Sequence, residues 1–143
     1  TKSLTIEKIK TGFLDKSLIH QSLDGLFGKT TDVEKGFYFK NNLLRQIFNK
    51  KKRGLLGCNF SIHKKDIIKI NGFDERYEAP SIGEDSDIQY RFELTGGKIV
   101  SLNNIAVQYH LYHKLQERPQ QNLDIFNTVK KEKTPFTPFG IYK

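Results

Sequence analysis

The sequence contains one cysteine, no methionine and no long apolar stretch. The single Cys58 excludes an internal disulfide and is compatible with a reducing compartment. Its apolar neighbours predict a small buried side chain rather than a reactive thiol. No stretch approaches the roughly 20 apolar residues of a membrane-spanning helix, and no apolar core of a secretory segment follows Thr1. Because even the first residue is not methionine, we expect the sequence to be a piece of a longer protein.

Basic residues exceed acidic ones, 24 Lys and Arg against 16 Asp and Glu, for a formal net charge of +8. The densest basic run is Lys50, Lys51, Lys52 and Arg53. Such a run is compatible with nucleic acid, anionic lipid headgroups, phosphate-bearing substrates or simple solvation. No RNA- or DNA-binding motif accompanies the charge, so we expect no nucleic-acid partner. Peripheral contact of this run with a membrane surface stays open as a hypothesis from charge alone.

Hydrophobic periodicity predicts an α/β chain with few strands. Helical spacing is found at 17–27, 41–50, 64–70, 84–95 and 119–131, and the Asn71-Gly72 pair is typical of a left-handed helix end. Strand patterns are found at 55–62, 98–102 and 106–109. Helices interspersed with strands indicate a layered α/β arrangement. Three strands are few for an independent sheet of about five or six, which suggests a portion of a larger fold.

The densest polar cluster is Gly83-Glu84-Asp85-Ser86-Asp87, at the start of a predicted helix. One explanation is structural, because acidic residues in a first helical turn are stabilised by the helix dipole and Asp87 is spaced for an ion pair with Arg91. The other is chemical. A carboxylate here could act as a general base for a hydroxyl nucleophile, or could hold a divalent cation.

Two histidines, His110 and His113, follow the last predicted strand. A turn that brought both rings to one side would allow the pair to bind a transition metal. The alternative is a pair of ordinary hydrogen-bonded histidines.

Four segments together resemble family 2 glycosyltransferases, and they are also similar to the C-terminal regions of β-galactosyltransferases and bacterial chondroitin-type polymerases. In chain order these segments are 57–62, 70–75, 83–88 with Arg91, and 106–110. The resemblance is strong over about 55–113. It implies a partial GT-A fold, the nucleotide-diphospho-sugar transferase fold, with a mixed sheet of few strands and flanking helices. The implied domains are a lead-in segment 1–54, an acceptor-side catalytic half 55–113, and a C-terminal helix and tail 114–143.

The resemblance also implies roles for individual residues. Asp85 corresponds to the catalytic base, and Glu84 to a residue that contacts acceptor hydroxyls or orients the base. The acceptor side would be lined by Asn59, Asp74, Glu75 and Asp87. His110 corresponds to a metal ligand, and His113 is the second choice for that ligand. The reaction would be inverting, with a sugar passing from a nucleotide-sugar donor to a hydroxyl of a glycan acceptor.

One departure from the family pattern is large, because residues 1–54 contain no Asp-x-Asp metal motif and no nucleotide-binding start. We therefore expect the N-terminal donor half to be missing, this chain alone to be inactive, and Mn²⁺ or Mg²⁺ to bind only with that half. The implied setting is surface polysaccharide or lipopolysaccharide assembly by a cytoplasmic bacterial enzyme, peripheral to the inner face of the membrane. Uncovered apolar surface would allow a homo-oligomer. The alternative function is a non-enzymatic carbohydrate-binding or interaction module.

Overall fold

In the computed structural model, the described residues are 6–12, 18–29, 36–48, 54–79, 82–106, 108, 110–111, 113–114 and 117–143. They contain six helices: α1 (Ile6–Lys10), α2 (Leu18–Leu26), α3 (Asn42–Phe48), α4 (Lys64–Lys69), α5 (Glu84–Leu94) and α6 (Gln120–Glu132). None of the helices in this described part is long and apolar enough to cross a membrane.

The predicted helices are confirmed as elements, although α1 was not predicted. Helix α4 ends as its sequence indicates, since Asn71 and Gly72 both adopt positive φ angles, 64° and 79°. That conformation is open to Asn and Gly and closed to most other residues. Helix α6 ends similarly, with Lys133 in the left-handed region and its N–H bonded to the carbonyl of Val129.

The predicted α/β fold with a mixed sheet is wrong, because the described residues form helices and irregular segments with no strand. The N–H of Leu55 donates to the side chain of Gln89 at 2.7 Å instead of to a neighbouring strand. The segment 98–102 is irregular, and Val100 is 75% exposed. Residues 106 and 108 are also irregular, while 107 and 109 lie outside the described residues. An apolar run becomes a strand only where a partner strand supplies hydrogen bonds and burial.

The chain divides into two compact units, 1–52 with 101–114, and 53–100 with 115–143. The predicted domain limits at 54 and 113 stay a prediction. In the first unit, the turn at 102–106 is fixed on the segment 37–39 through Asn104, which is buried. Its side-chain amide donates to the carbonyl of Phe37 at 2.7 Å, and its carbonyl accepts from the N–H of Phe39 at 3.0 Å.

The second unit has a small apolar core and an extensive buried polar network. Its buried apolar side chains in the described part are Ile70, Ile88 and Val129. Its buried polar residues are Asn71, Asp74, Asp87, Arg91, Asn122 and Thr137. Buried polar groups are stable only when hydrogen-bonded, so this network determines how the helices of the unit meet.

Helices α5 and α6 pack against each other in the second unit. The rings of Tyr90 and Phe126 meet edge to face, with centroids 6.2 Å apart, a favourable arrangement for two aromatic rings. The side-chain amide of Asn122 donates to the carbonyls of Ala79 and Ile82, both at 2.8 Å. These bonds tie α6 to the loop that leads into α5.

Candidate functional site

The first turn of α5 carries Glu84, Asp85 and Asp87 and begins at an unusual backbone position. The preceding Gly83 has φ 109°, and a Cβ atom there would lie 2.7 Å from the ring of Tyr77. Only glycine fits such a position. Burial raises the pKa of the Tyr77 hydroxyl, so this residue packs against the helix start as a neutral ring.

Asp85 is half-buried and its carboxylate is held by backbone amides. One oxygen accepts from the N–H of Gly57 at 3.2 Å, and the other accepts from the N–H of Ser86 at 2.7 Å. The hydroxyl of Ser86 lies 3.3 Å from the same oxygen. Amide donors and the positive end of the helix dipole both favour a negative charge at this point.

The turn at 56–59 brings backbone close to both carboxylates of the Glu84–Asp85 pair. A Cβ atom at Gly57 would lie 3.6 Å from the Cβ of Asp85 and 3.9 Å from a carboxylate oxygen of Glu84. Asn59 belongs to this turn, since its N–H donates to the carbonyl of Leu56 at 2.9 Å, and its side chain is exposed. The structure therefore places Glu84 and Asp85 beside the turn to which Asn59 belongs, and the role of Asn59 on the acceptor side stays a prediction.

Cys58 lies in the same turn and is exposed, so the prediction of a buried thiol is wrong. The segment 55–62 is predicted to form a buried strand, but its residues 57–59 form a turn at the surface. As a surface turn, it leaves this side chain in solvent.

Glu84 has one carboxylate oxygen that is buried and has no hydrogen-bond partner among the described residues. Leaving such an oxygen unpaired costs free energy. The structure thus shows an acidic side chain that is only partly satisfied beside the amide-held carboxylate of Asp85.

Asp87 is fully buried and faces away from solvent, in a network with Arg91. The guanidinium of Arg91 donates to the Asp87 carboxylate at 2.8 Å through Nε and contacts the same oxygen at 2.6 Å through Nη2. It also donates to the carbonyls of Ile70 at 2.6 Å and Gly72 at 2.9 Å. Burial raises the pKa of Asp87, while the Arg91 guanidinium opposes that rise. This geometry favours a structural role for Asp87 over the predicted contact with an acceptor.

Asp74 is also buried, and its partners lie in two different segments. Its carboxylate accepts from Arg76 through Nε at 2.9 Å and Nη2 at 2.7 Å, and from the hydroxyl of Thr137 at 2.7 Å. Burial alone would raise the pKa of Asp74, but hydrogen bonds from Arg76 and Thr137 outweigh burial and lower the pKa. The neighbouring Glu75 is exposed and pairs with Lys143 at 2.9 Å.

Asn71 is a buried residue whose side-chain role the sequence analysis missed. Its amide group donates to the carbonyls of Thr137 at 2.7 Å and Tyr142 at 2.9 Å, and its side-chain oxygen accepts from the N–H of Tyr142 at 2.8 Å. The Asn-Gly pair predicted only a helix end. The partners lie more than 60 residues away along the chain, so no local pattern indicates them.

The two histidines lie in the first unit, whereas the acidic residues lie in the second. The Nε2 atoms of His110 and His113 are 2.9 Å apart, and both rings are exposed. This is a hydrogen-bonding distance, so the two rings form the hydrogen-bonded pair that the sequence left as the alternative, and an ion bound by both nitrogens would have to replace this bond. The described residues contain no cluster of three or more His, Cys, Asp or Glu that could hold a metal. The role of His110 as a metal ligand, with His113 as the second choice, therefore stays a prediction.

The basic run Lys50 to Arg53 lies outside the described residues. Its predicted contact with a membrane surface stays a prediction.

Comparison with known proteins adds one finding. Residues 44–114 match a protein-family profile described as the N-terminal domain of galactosyltransferase, and the match covers just under half of the chain. It supports a glycosyltransferase-like domain but does not support the predicted placement in the C-terminal half of a family 2 enzyme. No curated protein and no solved structure matched the chain. Over residues 44–114, which include the Glu84–Asp85 pair and both histidines, the chain is similar to a galactosyltransferase domain.

Proposed function

We propose that this chain carries the acceptor-activating part of a glycosyltransferase site, with Asp85 as the general base. The observation that carries the proposal is the half-buried carboxylate of Asp85, held by the amides of Gly57 and Ser86 at the start of α5. The matched glycosyltransferase-like stretch contains all of these residues. Asp87, the other aspartate of the cluster, is already committed to Arg91 inside the protein.

The proposed reaction is a single inverting displacement. An acceptor hydroxyl gives its proton to the Asp85 carboxylate, and its oxygen forms a bond to the anomeric carbon of the donor sugar. The bond from that carbon to the diphosphate breaks, and the nucleoside diphosphate leaves with the electron pair. Amide donors fix the direction of the Asp85 carboxylate, which is what a general base requires of its surroundings.

Glu84 is the proposed second acidic residue of the site. Its unpaired, buried carboxylate oxygen lies at the start of the same helix as Asp85. Because the acceptor cannot reach this buried oxygen, its hydroxyl would bond to the other carboxylate oxygen of Glu84, which lies beside the turn at Gly57. We expect this contact to orient the acceptor for the base, as the resemblance implies, with Asn59 on the neighbouring turn.

A divalent metal, Mn²⁺ or Mg²⁺, is the proposed cofactor, with His110 as a ligand and His113 as the second choice. When bound, such an ion would neutralise charge on the leaving diphosphate. In calorimetric titrations of the protein at its natural length with Mn²⁺ alone, His110→Ala is expected to weaken binding, whereas His63→Ala, at an exposed histidine before α4, is expected to leave binding unchanged. Equal binding by the wild type and His110→Ala would contradict this assignment.

The base assignment is tested by Asp85→Asn in the protein at its natural length, with Mn²⁺, a panel of nucleotide sugars and glycan acceptors. We expect the transfer rate to fall by about 10²–10⁴-fold, the usual contribution of a general base. Asp66→Asn is the matched control, because Asp66 also lies in the first turn of a helix within the matched stretch. A transfer rate for Asp85→Asn close to that of Asp66→Asn would refute the role. Surface polysaccharide assembly and a location at the inner face of a membrane stay predictions.

A further inference from the structure

A cleft of about 420 Å³ lies in the second unit, apart from the acidic pair. Its walls come from two segments, the loop after Asp74 and the C-terminal segment, and its lining residues are Glu75, Arg76, Glu78, Pro138, Phe139 and Lys143. Binding pockets for small ligands have volumes of about 300–1,000 Å³. The cleft is therefore large enough to hold a sugar unit of a glycan.

The two walls are fixed to each other by hydrogen bonds. The N–H of Glu75 donates to the carbonyl of Phe139 at 2.9 Å. The carboxylate of Asp74 also joins Arg76, which lines the cleft, to Thr137 on the C-terminal segment. A cleft that is already formed loses less conformational entropy when a ligand binds.

Most charges of the cleft are balanced within the protein, and the remaining carboxylate, on Glu78, disfavours an anionic ligand. Arg76 is committed to Asp74 through two hydrogen bonds, so its charge is balanced inside the protein. Glu75 and Lys143 balance each other across the rim at 2.9 Å, and both side chains are largely exposed. Such a surface pair contributes little stability, so ligand hydroxyls could replace it at small cost. Glu78 adds an exposed carboxylate that can accept hydrogen bonds from hydroxyl groups.

The cleft also contains an aromatic surface. Phe139 keeps 44% of its surface exposed, although the guanidinium of Arg76 lies 4.3 Å from its ring centroid. That contact holds the ring in place, and the remaining surface is available to the apolar C–H face of a sugar ring. Carboxylates beside an exposed aromatic ring match the two surfaces of a pyranose, its hydroxyl edge and its apolar face.

We propose that this cleft binds a neutral sugar unit of the glycan acceptor, with Phe139 as the apolar platform and Glu75 and Glu78 as hydroxyl acceptors. The ligand class rests on the proposed glycosyltransferase function. Of the lining residues, only Glu75 is predicted from the sequence as an acceptor residue. The cleft adds Glu78 and Phe139 as determinants of which sugar is bound.

The test is a titration of the full 143-residue chain with lactose, cellobiose and N-acetylglucosamine, followed by NMR and without any donor sugar. We expect at least one of these sugars to bind, and Phe139→Ala to weaken that binding about tenfold, as the loss of an aromatic contact would. Phe136→Ala is the matched control, since Phe136 is similarly exposed on the same segment and does not line the cleft. Glu78→Gln is expected to weaken binding several-fold.

Three outcomes decide the proposal. Binding of none of the three sugars, or equal weakening by Phe139→Ala and Phe136→Ala, would overturn it. Sugar binding that depends on Phe139, combined with no sugar transfer by the protein at its natural length, would support the cleft as a sugar site and refute the enzymatic function. The third outcome is that sugar transfer depends on Asp85 but sugar affinity is unchanged by Phe139→Ala. This result would support the enzymatic function and show that the cleft is not part of the acceptor site.

Discussion

At the residue scale, Arg91 links α5 to the segment after α4 within the second unit. It is 1% exposed, and it joins the Asp87 carboxylate on α5 to two backbone carbonyls after α4. The start of α5, where Glu84 and Asp85 lie, is thereby fixed to the loop at 70–72. Removing one partner of such a buried pair leaves an uncompensated charge, which costs far more than losing a surface contact.

Arg91→Ala is therefore expected to lower the free energy of unfolding by about 3–5 kcal/mol, the usual cost of breaking a buried ion pair. Arg118→Ala is the control, because Arg118 is exposed and its loss should change stability by less than about 0.5 kcal/mol. Urea unfolding followed by circular dichroism measures both. Similar stability of the two variants would show that the Asp87–Arg91 network does not hold this unit together.

Asp74 makes stability depend on pH. Its pKa is lowered in the folded protein from the ordinary value of 3.8, chiefly by Arg76 and Thr137 acting against burial. The folded state thus binds this proton less readily than the unfolded state. The stabilisation by Asp74 is fully present above the unfolded pKa and is lost as pH falls through the folded pKa.

The variant Asp74→Asn isolates this contribution from that of other acids. We expect it to be less stable than the wild type near neutral pH, and we expect the difference to shrink as pH falls below 3.8. Urea unfolding at a series of pH values gives both curves. If the difference in unfolding free energy between the two proteins stays constant over this pH range, the hydrogen bonds to Asp74 do not act by stabilising its charged form.

At the scale of elements, helices were predictable and strands were not. The helical periods of α2 to α6 are local, and the Asn71-Gly72 end of α4 is a local conformational preference. The apolar run at 55–62 carries no information about whether a partner strand exists. Its first amide bonds instead to Gln89, a residue 34 positions away on α5, so the α/β prediction failed on a long-range contact.

The start of α5 offers a test of local packing. Gly83 and Gly96 both have positive φ, 109° and 81°, but a Cβ at Gly83 would lie 2.7 Å from the ring of Tyr77, whereas nothing lies within 4 Å at Gly96. Alanine at Gly96 carries backbone strain of about 1–2 kcal/mol, and alanine at Gly83 carries more, because its ψ of −47° lies outside the left-handed region. We expect Gly83→Ala to cost about 1–3 kcal/mol more, because the Tyr77 ring must move.

Chemical denaturation of Gly83→Ala and Gly96→Ala measures the difference directly. Equal loss of stability in the two variants would indicate that the Tyr77 ring moves aside without a cost in free energy. In that case the ring would not fix the first turn that carries Glu84 and Asp85.

At the scale of the whole molecule, the candidate site was predictable from motifs, but its supports were not. The cluster at 83–87 indicates the Glu84–Asp85 pair. The resemblance to glycosyltransferases also assigns Asp74 and Asp87 to the same site. Burial separates them, since Asp87 and Asp74 are internal and Asp85 remains accessible. The sequence does not indicate that the segment 137–142 folds back on the loop after α4.

The side chain of Asn71 holds the segment 137–142 through hydrogen bonds. Its replacement should therefore increase local unfolding of this segment more than that of the rest of the unit. Asn71→Gly keeps the positive φ without strain and removes only the side-chain bonds. We expect faster hydrogen exchange at the N–H of Tyr142, which donates to the Asn71 side chain. The N–H of Ile141, which donates to the Asn71 backbone carbonyl, is the internal control and should change less. Unchanged exchange at Tyr142 would contradict this role.

The most direct test of the account measures turnover and acceptor binding on the same Asp85→Asn preparation, in the protein at its natural length. If Asp85 is the base of a glycosyl transfer, turnover should fall by about 10²-fold or more while the affinity for the glycan acceptor stays close to that of the wild type. Undiminished turnover would contradict the central claim. So would a wild-type protein that binds glycan but transfers no sugar from any nucleotide-sugar donor, because that is the behaviour of a carbohydrate-binding module.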